Sequence, residues 1–140
     1  EYNLALVVHS RDASQETLEV LDIYRNDIKR CVMHCFSYGA DIAKEIINYG
    51  YLLGIGGTLT YPKNTELRSI IAQPETINHI VLETDAPFLP PQIIRGKENH
   101  PLHIKTVAEY IASMRNETTE HVSATTTKLA QTLFALQGAA

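Results

Sequence analysis

Tryptophan is absent, and cysteine and methionine occur only twice each. No apolar run approaches the roughly 18–20 residues that a membrane helix needs, so no membrane partner is expected. No basic, then apolar, then small-residue segment opens the sequence. The basic excess of a general nucleic-acid coat protein is also missing, since the net charge is −4. That balance leaves room for an enzyme that meets phosphates through metals and a few local Arg or Lys. Low-complexity segments, long linkers and tandem repeats are lacking. The cysteine pair, Cys31 and Cys35 in "CVMHC", would lie roughly 13 Å apart on a strand at about 3.3 Å per residue, too far for a disulfide. A zinc knuckle would need a second pair. Two small buried hydrophobes in a reducing, cytoplasmic compartment are the plainer reading.

What is present suits one compact domain: 140 residues, 44% of them apolar and 20% charged. The sequence "EYNLALVVHS" has no initiator Met and enters a strand at once, which suggests a piece of a longer chain. Leu4 to Ser10 is a nearly continuous apolar run, as in strands buried on both faces. "SQETLEVLDIYR" follows with Leu18, Leu21 and Tyr24 at helical spacing, and Asp12 with Gln15 could form a capping box. Arg30 to Ser37 is a second strand. "DIAKEIINYG" places Ile42, Ala43, Ile46 and Ile47 on one helix face, with Gly50 as the stop. "YLLGIGG" is a third strand. "NTELRSIIAQP" is a helix capped by Asn64, with Pro74 beyond its end, and "HIVLETD" is a fourth strand. Two helices then carry Ile104, Val107, Ala108 and Ile111, and Val122, Leu129, Leu133 and Phe134. Strands alternating with helices indicate an α/β fold of parallel βαβ units. Hydrophobic pattern alone leaves open a small doubly wound sheet or half of a barrel.

The strand ends gather the chemistry. The first ends in His9, the second near His34, the third in Gly54-Ile55-Gly56-Gly57 and the fourth in Asp85. In parallel α/β folds every βα loop opens on the carboxyl-end face, so these groups share one rim. Singly, each has a plain structural role: a hydrogen-bonded imidazole, or a turn-forming Asp before Ala-Pro. Together, two imidazoles and a carboxylate are a ligand set for a hydrolytic metal. The glycine-rich end would leave its backbone exposed and uncrowded. Cys35 beside His34 suggests a nucleophilic dyad, but neighbouring strand residues point to opposite faces, which argues against one. Glu83 could orient a ligand or make a buried hydrogen bond. Arg11, Arg95 and Lys97 lie in rim loops as phosphate partners, with a plain solvated charge the better reading of Lys97.

"VVHSRDA", "HCFS", "GIGGTLTYPKN", "ETDAPFLPP" and "RGKENHP", in this order and spacing, resemble the TatD-type metal-dependent deoxyribonucleases of the amidohydrolase-like group. The resemblance spans essentially the whole chain and implies a (β/α)8 barrel with two divalent metal ions, Mg or Zn. One metal would activate a water and the other polarise a DNA phosphodiester. By motif, His9, His34 and Asp85 look like the ligands of strands five, six and eight, and Asp85 also handles the proton of the attacking water. Arg95, Gly96 and Asn99 match the substrate loop after the last strand, with Arg11 beside the first. Phe88 replaces a Tyr often found after "ETDAP". The family's first-strand His-x-His and fourth-strand Glu have no counterpart here, for none of the six histidines is spaced two from another.

The expected fold is therefore the carboxyl-terminal half of the barrel, strands five to eight, as a single unit over residues 1–140. Such a chain alone would have little nuclease activity, and its open strand edges would favour self-association. Alternatives are a metal hydrolase of small amides, lactones or phosphoesters, and a non-catalytic assembly module. A flavodoxin-like domain is disfavoured, because "HSRDAS" lacks the glycines of a phosphate loop.

Overall fold

The computed structural model describes residues 3–136. Four strands, β1 (Leu6–His9), β2 (Cys31–His34), β3 (Leu52–Ile55) and β4 (Ile80–Leu82), form one sheet in the order β1-β2-β3-β4. Every neighbouring pair is parallel, and His9 stands in register with His34. The helices are α1 (Ser14–Ile23), α2 (Ala40–Asn48), α3 (Thr65–Ile71), α4 (Ile104–Arg115) and α5 (Thr119–Phe134). Short 3-10 turns at Gly57–Thr60, Pro74–His79, Gln92–Ile94 and Pro101–His103 fill the loops.

Each crossover advances one strand in the same direction. A doubly wound sheet reverses that direction at a switch point, and no reversal occurs among the described strands. The main core follows from this winding. Leu18 and Leu21 of α1, Ala43 and Ile46 of α2, Ile70 and Ile71 of α3, and Val107 and Ile111 of α4 pack with Cys31, Met33, Leu53, Ile55 and Ile80. Alternation sends Val32, Leu52 and Val81 to the other face. There they meet Leu129, Ala130 and Leu133 from the last turns of α5. The upper part of that face, beyond these apolar residues, belongs to His34 and Glu83.

Several local expectations change. β1 is not buried on both faces: Leu6 is 40% exposed and Val7 53%. Its apolar run suits burial, but β2 is its only strand partner among the described residues. No capping box forms at α1; Ala13 holds the cap position without a side-chain bond, and Asp12 turns to a φ of +54°. Asn64 precedes α3, yet its amide donates to the Thr58 carbonyl instead of capping the helix. Gly50 does end α2. At a φ of +76° it donates to the Ile47 carbonyl while Tyr51 donates to that of Ile46, the paired bonds of a Schellman turn.

Candidate metal centre

β2 and β4 bring one imidazole between two carboxylates. His34 closes β2, and its Nδ1 lies 2.9 Å from Glu83 Oε2. Its Nε2 lies 3.3 Å from Asp85 Oδ1. The other Glu83 oxygen accepts the backbone N–H of Cys35. Glu83 can reach across only because β3 offers no side chain at Gly54. A Cβ there would sit 2.6 Å from Glu83 Oε2 and 3.0 Å from the Met33 carbonyl oxygen. The glycine-rich end is therefore crowded and buried, contrary to the open backbone expected from its sequence. Gly57 shows the same: a Cβ would lie 2.5 Å from the Leu89 carbonyl oxygen.

The His34 environment points to a cation. A neutral imidazole has one N–H and one lone pair. With Nδ1–H donating to Glu83, the Nε2 lone pair faces the Asp85 carboxylate, acceptor against acceptor. Only a positive charge, a proton or a metal ion, relieves that contact. Burial lowers the proton affinity of His34, but the Glu83 hydrogen bond and the charges of Glu83 and Asp85 outweigh it and raise the pKa. A separation of 3.3 Å is also that of two ligand atoms about 2 Å from one tetrahedral metal. The donor set fits a divalent cation, and a carboxylate on the far ring nitrogen fixes the ligating tautomer.

His9 is less enclosed. Its ring centroid lies 5.9 Å from that of His34, tilted by 38°. It stands on the exposed edge strand. Cys35 was set aside by strand alternation, and this is corrected. The strand ends at His34, and Cys35 turns to a φ of +48°. Among the described residues, His34, Cys35 and Glu83 thereby offer ligand atoms all within 4.8 Å of one another. Burial first, then the Glu83 hydrogen bond and charge, push the Cys35 thiol up, so it stays protonated and is a poor ligand unaided. No regular pattern announces this turn; a strand-end residue forced to positive φ is its only trace.

The rim loops divide into braced and free. Arg11 is almost fully exposed, 3.8 Å from Asp12. Arg95 stacks over the Tyr61 ring at 4.4 Å, and Gly96 follows it at a φ of +91°. Lys97 is exposed. Asn99 does not face the rim as a free group. It is buried, and both of its amide donors go to backbone carbonyls, those of Thr84 and Phe88. Phe88 is 68% exposed, three residues beyond Asp85.

Known proteins resemble this chain in sequence and in fold. The sequence profile of the family described as TatD related DNase matches residues 1–135. YabD of Bacillus subtilis, named an uncharacterized metal-dependent hydrolase, is 34% identical over 134 residues, covering 96% of this chain and 52% of its own length. The Mycobacterium tuberculosis protein named TatD is 30% identical over 131 residues, covering 94% and 49%. The crystal structure of YjjV, a TatD homolog from Escherichia coli K12, superposes with a TM-score of 0.84 at 29% identity, over 94% of this chain and 50% of YjjV. The chain spans about half the length of these relatives. With the profile matched along almost all of it, the chain belongs to the TatD related DNase family.

Proposed function

We propose that this chain supplies one rim of a divalent-metal centre that hydrolyses phosphodiester bonds of DNA, and that its sheet is half of a (β/α)8 barrel. The observation that carries the reading is the His34 imidazole held between Glu83 and Asp85, with Nδ1 2.9 Å from one carboxylate and Nε2 3.3 Å from the other. The one-way strand order supports the barrel, since it continues from either edge without a switch point. When bound, divalent cations would neutralise the phosphate and lower the pKa of an attacking water. The residues do the rest. Glu83 holds the His34 ring so that Nε2 can ligate. Asp85 uses Oδ1 beside His34, and its second oxygen can take the proton of the water. Arg11 and Arg95, in the rim loops, would hold phosphate oxygens. His9 adds a second imidazole from the neighbouring strand. A His-x-His pair and a Glu from other strands would complete a two-metal site, so the 140-residue chain by itself turns over DNA poorly. The two free cysteines, Cys31 and Cys35, support a reducing, cytoplasmic setting.

The test is zinc and magnesium content and DNase activity of this chain, alone and mixed with the amino-terminal half of YabD. Activity that appears only on mixing supports the reading. Cleavage of small esters or amides but not of DNA would move the substrate class. Absence of bound metal in every mixture would leave His34 and Asp85 as structural residues and the reading defeated.

A further inference from the structure

The Asn99 side chain was expected on the substrate, and the structure gives it other work. It is 5% exposed. Its amide nitrogen donates to the carbonyls of Thr84 and Phe88, the residues on either side of the Asp85 turn. Its oxygen accepts from the backbone N–H of His100 and lies beside His103 Nδ1, each at 2.9 Å. Its own N–H donates to the Pro87 carbonyl at 2.9 Å. An amide has two donors, and both are spent on the chain. Between the two carbonyls it grips, Asp85 sits at a φ of +52° and accepts from Phe88 N–H at 2.8 Å. A left-handed non-glycine residue persists only where its surroundings over-determine it. Without a carbonyl clamp, this turn would relax and carry the carboxylate away from His34.

We infer that Asn99 is a positioning residue for Asp85, the buried brace of the turn that aims its carboxylate at the metal centre, and not a contact to substrate. The inference rests on the metal reading above. It ties the start of α4, through His100 and His103, to the group that faces His34.

Asn99→Asp tests it, because the change keeps the size and the accepting oxygen but sets an oxygen against two carbonyls. Two readouts are taken on the full chain: amide hydrogen exchange at Phe88, and Co2+ affinity by absorption. The expected result is Phe88 exchange faster by roughly tenfold or more and Co2+ binding weaker by roughly tenfold. The urea midpoint should fall, since a buried oxygen is left unpaired, but the exchange of Leu53 should change far less than that of Phe88. Unchanged Phe88 exchange overturns the inference, and so does unchanged Co2+ affinity despite faster exchange. A wild-type chain that takes up no Co2+ defeats the metal reading instead, and Phe88 exchange alone then decides the brace. Should the variant fail to fold, Asn99→Ser takes its place. In the wild-type chain the Asn99 side-chain amide protons give a further answer: slow exchange supports the brace, and exchange at the rate of free amide overturns it.

Discussion

His34 and His9 end neighbouring strands in register, yet their surroundings differ sharply. His34 lies on a strand with sheet partners on both sides, between two carboxylates, with Gly54 clearing the space beside it. His9 lies on the edge strand, where Leu6 and Val7 are exposed as well. The same residue type at the same strand position is thus held between partners in one place and left exposed in the other. A strand end supplies direction; neighbouring strands supply the partners that fix tautomer and orientation.

The comparison can be broken first at its foundation. Leu53→Ala, in a fully buried position of β3, should cost about 2–5 kcal/mol of stability. Leu6→Ala on the edge strand should cost under about 1 kcal/mol. Urea unfolding of both variants checks this, and equal losses would show that the two ends of the sheet are packed alike. At the rim, His34→Ala should weaken Zn2+ binding by more than about 100-fold, since a ligand matters more than the partner that orients it. His9→Ala should cost less, as read by calorimetry. Glu83→Gln should weaken Zn2+ by about tenfold, because an amide turned the wrong way no longer takes the Nδ1 proton. Gly54→Ala should copy that loss by displacing the same carboxylate. If Gly54→Ala binds Zn2+ like wild type, the crowding at Glu83 does not govern the site. The smallest effect is expected at Cys31. Burial pushes its thiol up to about 12, so a thiol reagent at pH 8 should leave it untouched until the chain is unfolded.

The alternation of strands and helices was legible because each carries its own hydrophobic period. Ala43 and Ile46 read as a helix face and are buried as one. Exposure of β1 was not legible, since an apolar run reports what a strand could bury and not who its neighbours are. At the site, the strand ends pointed to His9, His34, Glu83 and Asp85 as a group on one rim. Which of them touch was hidden, because Cys35 and Asp85 leave the extended region for positive φ, where period-two alternation no longer holds. Asn99 was misplaced for a related reason. A polar residue in a rim loop reads as a substrate contact, and only its burial against Thr84 and Phe88 shows where its donors go.

The one-way strand order has a consequence for how the chain acquires its shape. Each strand pairs with the next one made, a single helix away, so every addition to the sheet closes only a short stretch of polypeptide. Assembly can then proceed stepwise as the chain leaves the ribosome, in step with synthesis rather than after it. Asp85, in the turn just past β4, is the final piece to reach His34. The rim of His34, Glu83 and Asp85 is complete only once the scaffold beneath it has formed.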